Sequence, residues 1–157
     1  MSREYNIKAV FLYNFARFVE WPASTLGNAE TPFVIGILGD DPFRSVIDQT
    51  VAGEKIKGHP IVIQRYKTVH EIKHCHILYI SAREATKLNE ILFALKNKNV
   101  LTVSDMASFT ATGGMIRFMT KDNKIRLQIN PEAAKAADLN ISSKLLNVAE
   151  IDRKSVV

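Results

Sequence analysis

The hydrophobic pattern opens on a helix. From Ile7 to Trp21, eleven of fifteen residues are apolar, interrupted only by Lys8, Asn14, Arg17 and Glu20. At 100° per residue Asn14, Arg17 and Glu20 share one narrow stripe, and Lys8 stands alone on the other side. Such a helix must bury most of its circumference. Pro22 is expected to end it, because the residue before a proline is pushed out of the α region.

Downstream the pattern alternates between short apolar runs and helical periods. Phe33–Leu38, Ile61–Tyr66, Cys75–Ile80 and Val100–Val103 predict strands, and Lys55–Gly58 predicts a short strand or turn. Helical segments are expected from Asp41/Pro42 to Val51, over one or two turns from Thr68 to Lys73, and from Ser81 to Lys96. Pro42 suits a first helical position, and Ser81 with Glu84 suits a capping box. The last of these helices presents Ala85, Leu88, Ile91, Leu92 and Leu95 on one face. Met115–Met119 and Lys124–Ile129 alternate around Lys121-Asp122-Asn123, an antiparallel hairpin. Asn130-Pro131-Glu132 starts an alanine-rich helix, and Ser142 or Ser143 starts a final helix through LLNVAEI. This order predicts one α/β domain over residues 4–152, a Rossmann-like three-layer sandwich. Its sheet is mostly parallel, with an antiparallel hairpin at one edge.

Composition narrows the function classes. The 157 residues suffice for one sizeable core, and 21 basic against 16 acidic residues give a net charge of +5. The cations are spread along the chain without a long run, so a solvated basic surface is expected and no nucleic-acid partner. Cys75 is the single cysteine, which excludes a disulfide within the chain and reads as a small buried hydrophobe. No run reaches the roughly 18–20 apolar residues of a membrane span.

Candidate chemistry is sparse. His70-Glu71-Ile72-Lys73-His74 matches H-E-x-x-H, which holds zinc only on a long helix; here a strand begins at once, so no metal is expected. Gly36 and Gly39 do not form a dinucleotide fingerprint, so no cofactor is expected. The strand ends bring together Asp40, Asp41, Ser81, Ser104, Asp105 and Lys121, which invites comparison with a phospho-receiver. Ser81 stands where the acceptor aspartate belongs, so phosphotransfer lacks its nucleophile. A small-ligand pocket lined by Asp40, Ser104, Asp105 and Gly113 is the alternative expectation, because ligands sit at the carboxyl ends of parallel strands. No catalytic triad or carboxylate pair emerges, and the chain reads as a non-enzyme.

KAVFLYNFARFVEWP (8–22), GILGDDPF (36–43), CHILYIS (75–81), VLTVSD (100–105), GGMIRFM (113–119), IRLQIN (125–130) and ISSKLLNVAEI (141–151) together resemble the YfiR family, in order and over nearly the whole chain. The resemblance implies a periplasmic protein made with a cleaved signal peptide, which is expected upstream of Met1. It also implies a homodimer that binds and inhibits the periplasmic sensor region of an inner-membrane diguanylate cyclase, lowering cyclic-di-GMP and biofilm formation. An outer-membrane lipoprotein would sequester it. Redox control by disulfides does not carry over, since Cys75 has no partner. Partner contacts are expected at Phe18 and Trp21, where the first helix ends, and at Leu145, Leu146, Val148 and Ile151 of the last helix.

Overall fold

The computed structural model describes residues 3–151. Helix α1 (Arg3–Phe18) is followed by β1 (Val19–Glu20), α2 (Ala23–Leu26), β2 (Phe33–Leu38), α3 (Val46–Val51), β3 (Lys55–Ile56) and β4 (His59–Tyr66). Then come a 3-10 turn (Val69–Glu71), β5 (Ile77–Ile80), a second 3-10 segment (Ala82–Lys87) leading into α4 (Leu88–Ala94), β6 (Leu101–Ser104) and α5 (Phe109–Thr112). The hairpin β7 (Ile116–Lys121) and β8 (Lys124–Ile129), α6 (Pro131–Ala136), β9 (Asn140–Ile141), α7 (Ser143–Leu146) and β10 (Glu150–Ile151) complete the chain.

Eight strands form one sheet in the order β10-β8-β7-β6-β5-β2-β4-β3. The five strands from β4 to β7 are all parallel, and in space they follow the doubly wound order 2-1-3-4-5. The hairpin adds β8 antiparallel, as its sequence predicts, and β10 lies parallel outside it. The turn residues Asp122 and Asn123 have φ of 53° and 61°, the mirror-image geometry that a two-residue hairpin loop needs.

Alternation along each strand splits the core into two layers. Phe33, Ile35 and Ile37 of β2 with Ile77 and Tyr79 of β5 meet Leu12, Phe15 and Ala16 of α1 and Ile47 of α3. The opposite side chains, Val34, Leu38, Leu78 and Ile80, meet Leu88 and Ile91 of α4 and Leu95 just after it. The result is the three-layer α/β arrangement.

Four local expectations are corrected. The opening helix ends at Phe18, three residues before Trp21, because Val19 and Glu20 pair antiparallel with Ile141 and Asn140. Asp40–Ser45 is not helical: Asp41 Oδ1 accepts from the backbone N–H groups of Phe43 and Arg44, and Arg44 takes φ of 52°, so the helix starts only at Val46. Ser81 does cap the next segment, accepting from Arg83 N–H at 3.3 Å, yet that segment opens as 3-10 and leaves Ala85 exposed. The final helix is one turn, α7. Leu145 and Leu146 lie on it, Val148 follows it, and Ile151 lies in β10, pairing with Ile129.

Candidate functional site

Where strand order reverses, between β2 and β5, the chain leaves a crevice at the carboxyl ends of the parallel strands. It is a cavity of about 220 Å³ lined by Tyr5 from α1, Asp40 and Asp41 after β2, Tyr79 and Ser81 from the end of β5, Arg83, and Asp105 after β6. That volume is below the range of about 300–1,000 Å³ usual for ligand sites, so a nucleotide would not be enclosed.

Asp105 organises the floor. Tyr79 Oη donates to Asp105 Oδ2 at 2.7 Å and Tyr5 Oη donates to the same oxygen at 3.0 Å. Lys8, only 3 % exposed, brings Nζ to 3.1 Å from Oδ1, and it also pairs with Glu4 one turn earlier on α1. Burial, reinforced by the Asp105 charge, pushes the Tyr5 phenol up to about 12 and raises that of Tyr79 further. Both tyrosines are therefore fixed donors rather than bases.

The rim is paired in the same way. Arg65 on β4 contacts Asp41 Oδ2 and Asp48 Oδ2 at 2.7 Å each and donates to the Arg44 carbonyl, which fixes the loop after β2. Its hydrogen bond holds the Asp48 carboxyl below the usual range. Asp40 meets Arg83 at 3.1 Å in solvent.

Of the four pocket residues expected from sequence, Asp40 and Asp105 line this cavity. Ser104 is buried behind it, donating to the Ile80 carbonyl at 2.6 Å and accepting from Met106 N–H. Gly113 ends α5 with φ of 123° and lies outside the lining. Sequence reasoning overlooked Tyr5, Lys8 and Tyr79. A lone lysine in an otherwise apolar helix was the available signal for Lys8.

The six expected partner contacts divide. Trp21 is 6 % exposed, edge-on to Phe33 at 5.0 Å, and its indole N–H donates to the His76 carbonyl; Leu145 is buried as well. Phe18 is half-buried beneath the Arg17 guanidinium and borders a groove with Asn140 and Lys144. Leu146 and Ile151 are half-buried against the core, and Val148 is 69 % exposed.

The histidines hold no shared helix, although the rings of His74 and His76 meet edge-on at 4.6 Å. His76 is locked inside the fold: Val34 N–H donates to Nδ1 at 3.0 Å, and Nε2 lies 2.8 Å from the Thr25 carbonyl, which sets the tautomer with hydrogen on Nε2. His70 sits in a one-turn 3-10 segment and His74 beyond it, so the H-E-x-x-H residues do not share a helix. Among the described residues no three His, Cys, Asp or Glu side chains converge as metal ligands, and no helix is long and apolar enough to cross a membrane.

No curated protein matches this chain. Residues 5–150, from the tyrosine on the crevice floor to the start of the last strand, match the YfiR/HmsC-like family. With nearly its full length covered, the chain belongs to the YfiR/HmsC-like family.

Proposed function

We propose that this protein is a non-enzymatic periplasmic regulator. It binds the periplasmic sensor region of an inner-membrane diguanylate cyclase and holds it inactive, lowering cyclic-di-GMP and with it biofilm formation. The observation that carries this reading is the family match across residues 5–150. The crevice is compatible with it: its polar groups are turned on one another, so its chemistry is that of a structural joint. Release by an outer-membrane lipoprotein and assembly as a homodimer belong to the same proposal. Phe18, Leu146, Val148 and Ile151 are its accessible contact candidates, whereas Trp21 and Leu145 are buried.

The test is direct. The purified protein is titrated against the periplasmic regions of the membrane diguanylate cyclases of the same organism, and cellular cyclic-di-GMP is measured with and without the gene. Saturable binding and a rise in cyclic-di-GMP on deletion are expected. No binding and an unchanged nucleotide level would refute the reading.

A second reading rests on the crevice itself, placed at the switch point where α/β sheets take ligands. Its size suits an amino acid or an inorganic ion. A thermal-shift panel of nucleotides, amino acids and phosphate should then show stabilisation by a small member, and a flat panel excludes it.

A further inference from the structure

The hairpin presents two different faces. Ile116, Phe118, Leu127 and Ile129 point into the main core. The register pairs Arg117 with Gln128, Met119 with Arg126 and Lys121 with Lys124, so these six side chains share the outer face. Only its base is covered, where Thr110 of α5 donates to the Gln128 amide oxygen at 2.9 Å. Four of the six are cations. Glu150 reaches Lys121 at 3.6 Å, and among the described residues Arg117, Lys124 and Arg126 have no ion-pair partner.

The edge beside this face is open. β10 covers only Gln128 and Ile129 of β8, and among the described residues no strand pairs with Lys124–Leu127 on that side. A groove of about 620 Å³ runs there, between Lys121 and Arg126 on the hairpin and Val148 and Glu150 on the following segment. Val148 stands 69 % exposed in its wall. Charge on an edge strand discourages pairing with a like copy, and it selects a strand of opposite sign.

We infer that the open edge of β8 is a docking site for an extended acidic segment of a partner protein, its carboxylates meeting Lys124 and Arg126 and an apolar side chain meeting Val148. Shape argues for an extended segment, because an unpaired strand edge offers backbone hydrogen bonds only to another strand. Charge argues for carboxylates, which guanidinium groups bind in a bidentate fork. The inference rests on the regulator reading, since it locates where that partner is held.

The experiment has two arms and uses the whole protein. In the first, poly-L-glutamate is titrated and amide shifts are followed by NMR. Shifts confined to residues 117–128 and 147–150, and absent in the double variant Lys124→Glu/Arg126→Glu, are expected. Shifts scattered over the surface overturn the inference, as does binding of phosphatidylglycerol vesicles through these residues without any binding of poly-L-glutamate. In the second arm the cyclase periplasmic region is titrated. The double variant should bind at least tenfold more weakly, while Lys87→Glu/Lys96→Glu, with the same net charge change at the two ends of α4, stays within twofold. Equal weakening in both variants overturns the inference. Failure of the unaltered protein to bind the cyclase region refutes the regulator reading alone, and the first arm then decides the surface. Unchanged urea midpoints establish that both variants are folded.

Discussion

Lys8 and Asp105 stand 3.1 Å apart across the junction between α1 and the sheet, separated by almost a hundred residues of chain. The lysine is 3 % exposed and the carboxylate 19 %. Asp105 Oδ2 takes both tyrosine hydroxyls, leaving Oδ1 to Lys8 alone, off the hydrogen-bonding line. Removing one member of such a pair strands the other charge. Asp105→Ala should therefore destabilise the fold by about 2 kcal/mol or more, less than the about 3–5 of a fully buried pair because Glu4 still reaches Lys8. Urea unfolding followed by the single tryptophan measures this. In the double variant Lys8→Met/Asp105→Asn the loss should be smaller than the sum of the two single losses.

His76 makes the fold acid-sensitive. Burial lowers its affinity for a proton, and Val34 N–H already occupies Nδ1, so the folded state keeps the ring neutral. The neighbouring His74 and His59 push in the same direction, against the Thr25 carbonyl. An unfolded histidine protonates near 6.5, so the unfolded chain binds more protons below that pH. Stability conferred by neutral His76 is complete above about pH 6.5 and declines as the pH falls toward its depressed folded value. Urea midpoints at pH 7.5 and 5.5 should differ in that sense, and His76→Asn should reduce the difference. A His76 ring proton that titrates above 6.5 in NMR would contradict this account.

Cys75 should be chemically silent. Burial pushes its thiol up to about 12, and Sγ lies 3.0 Å from the Ile77 carbonyl. Labelling by a thiol reagent at pH 8 should be negligible in the native protein and rapid in urea. Rapid native labelling would mean that the β4–β5 region opens locally.

Gly114 is fixed by Phe109 rather than by its backbone angle. A Cβ there would come within 2.3 Å of the Phe109 ring, which is wholly buried and has no room to withdraw. Gly114→Ala should cost about 1–3 kcal/mol, the usual range for overpacking. Phe109→Leu in the same chain should recover part of it, as read by the shift in thermal midpoint.

The sequence carried local information well. The apolar run of β2, the Asp122-Asn123 turn and the Asn130 cap, which accepts from Ala133 N–H, are all encoded within a few residues. What it misdescribed depends on distant partners. Val19-Glu20 and Glu150-Ile151 are compatible with helical spacing and become strands because β9 and the edge of β8 are there to pair with them. The crevice was half legible for the same reason. Asp40 and Asp105 follow strands and could be placed by rule, whereas Tyr5 and Lys8 reach it only because α1 lies against that end of the sheet. The role of His76 as a buried bridge between β2 and the α2 segment rests on partners far apart in sequence and needed the fold.

The seating of α1 has a consequence for the order of assembly. This helix precedes the other described elements, and its polar fastenings come late in the chain: Asp105 at Lys8 near its start, then Ser142, whose N–H donates to the Phe18 carbonyl at its end. Its apolar flank can meet β2 and α3 early, but the contacts that lock its two ends close only when residues 105 to 142 are in place. Such long-range closure slows folding and favours a single late, concerted step. Until then apolar contacts alone hold α1, and that is the state in which a chaperone would meet it.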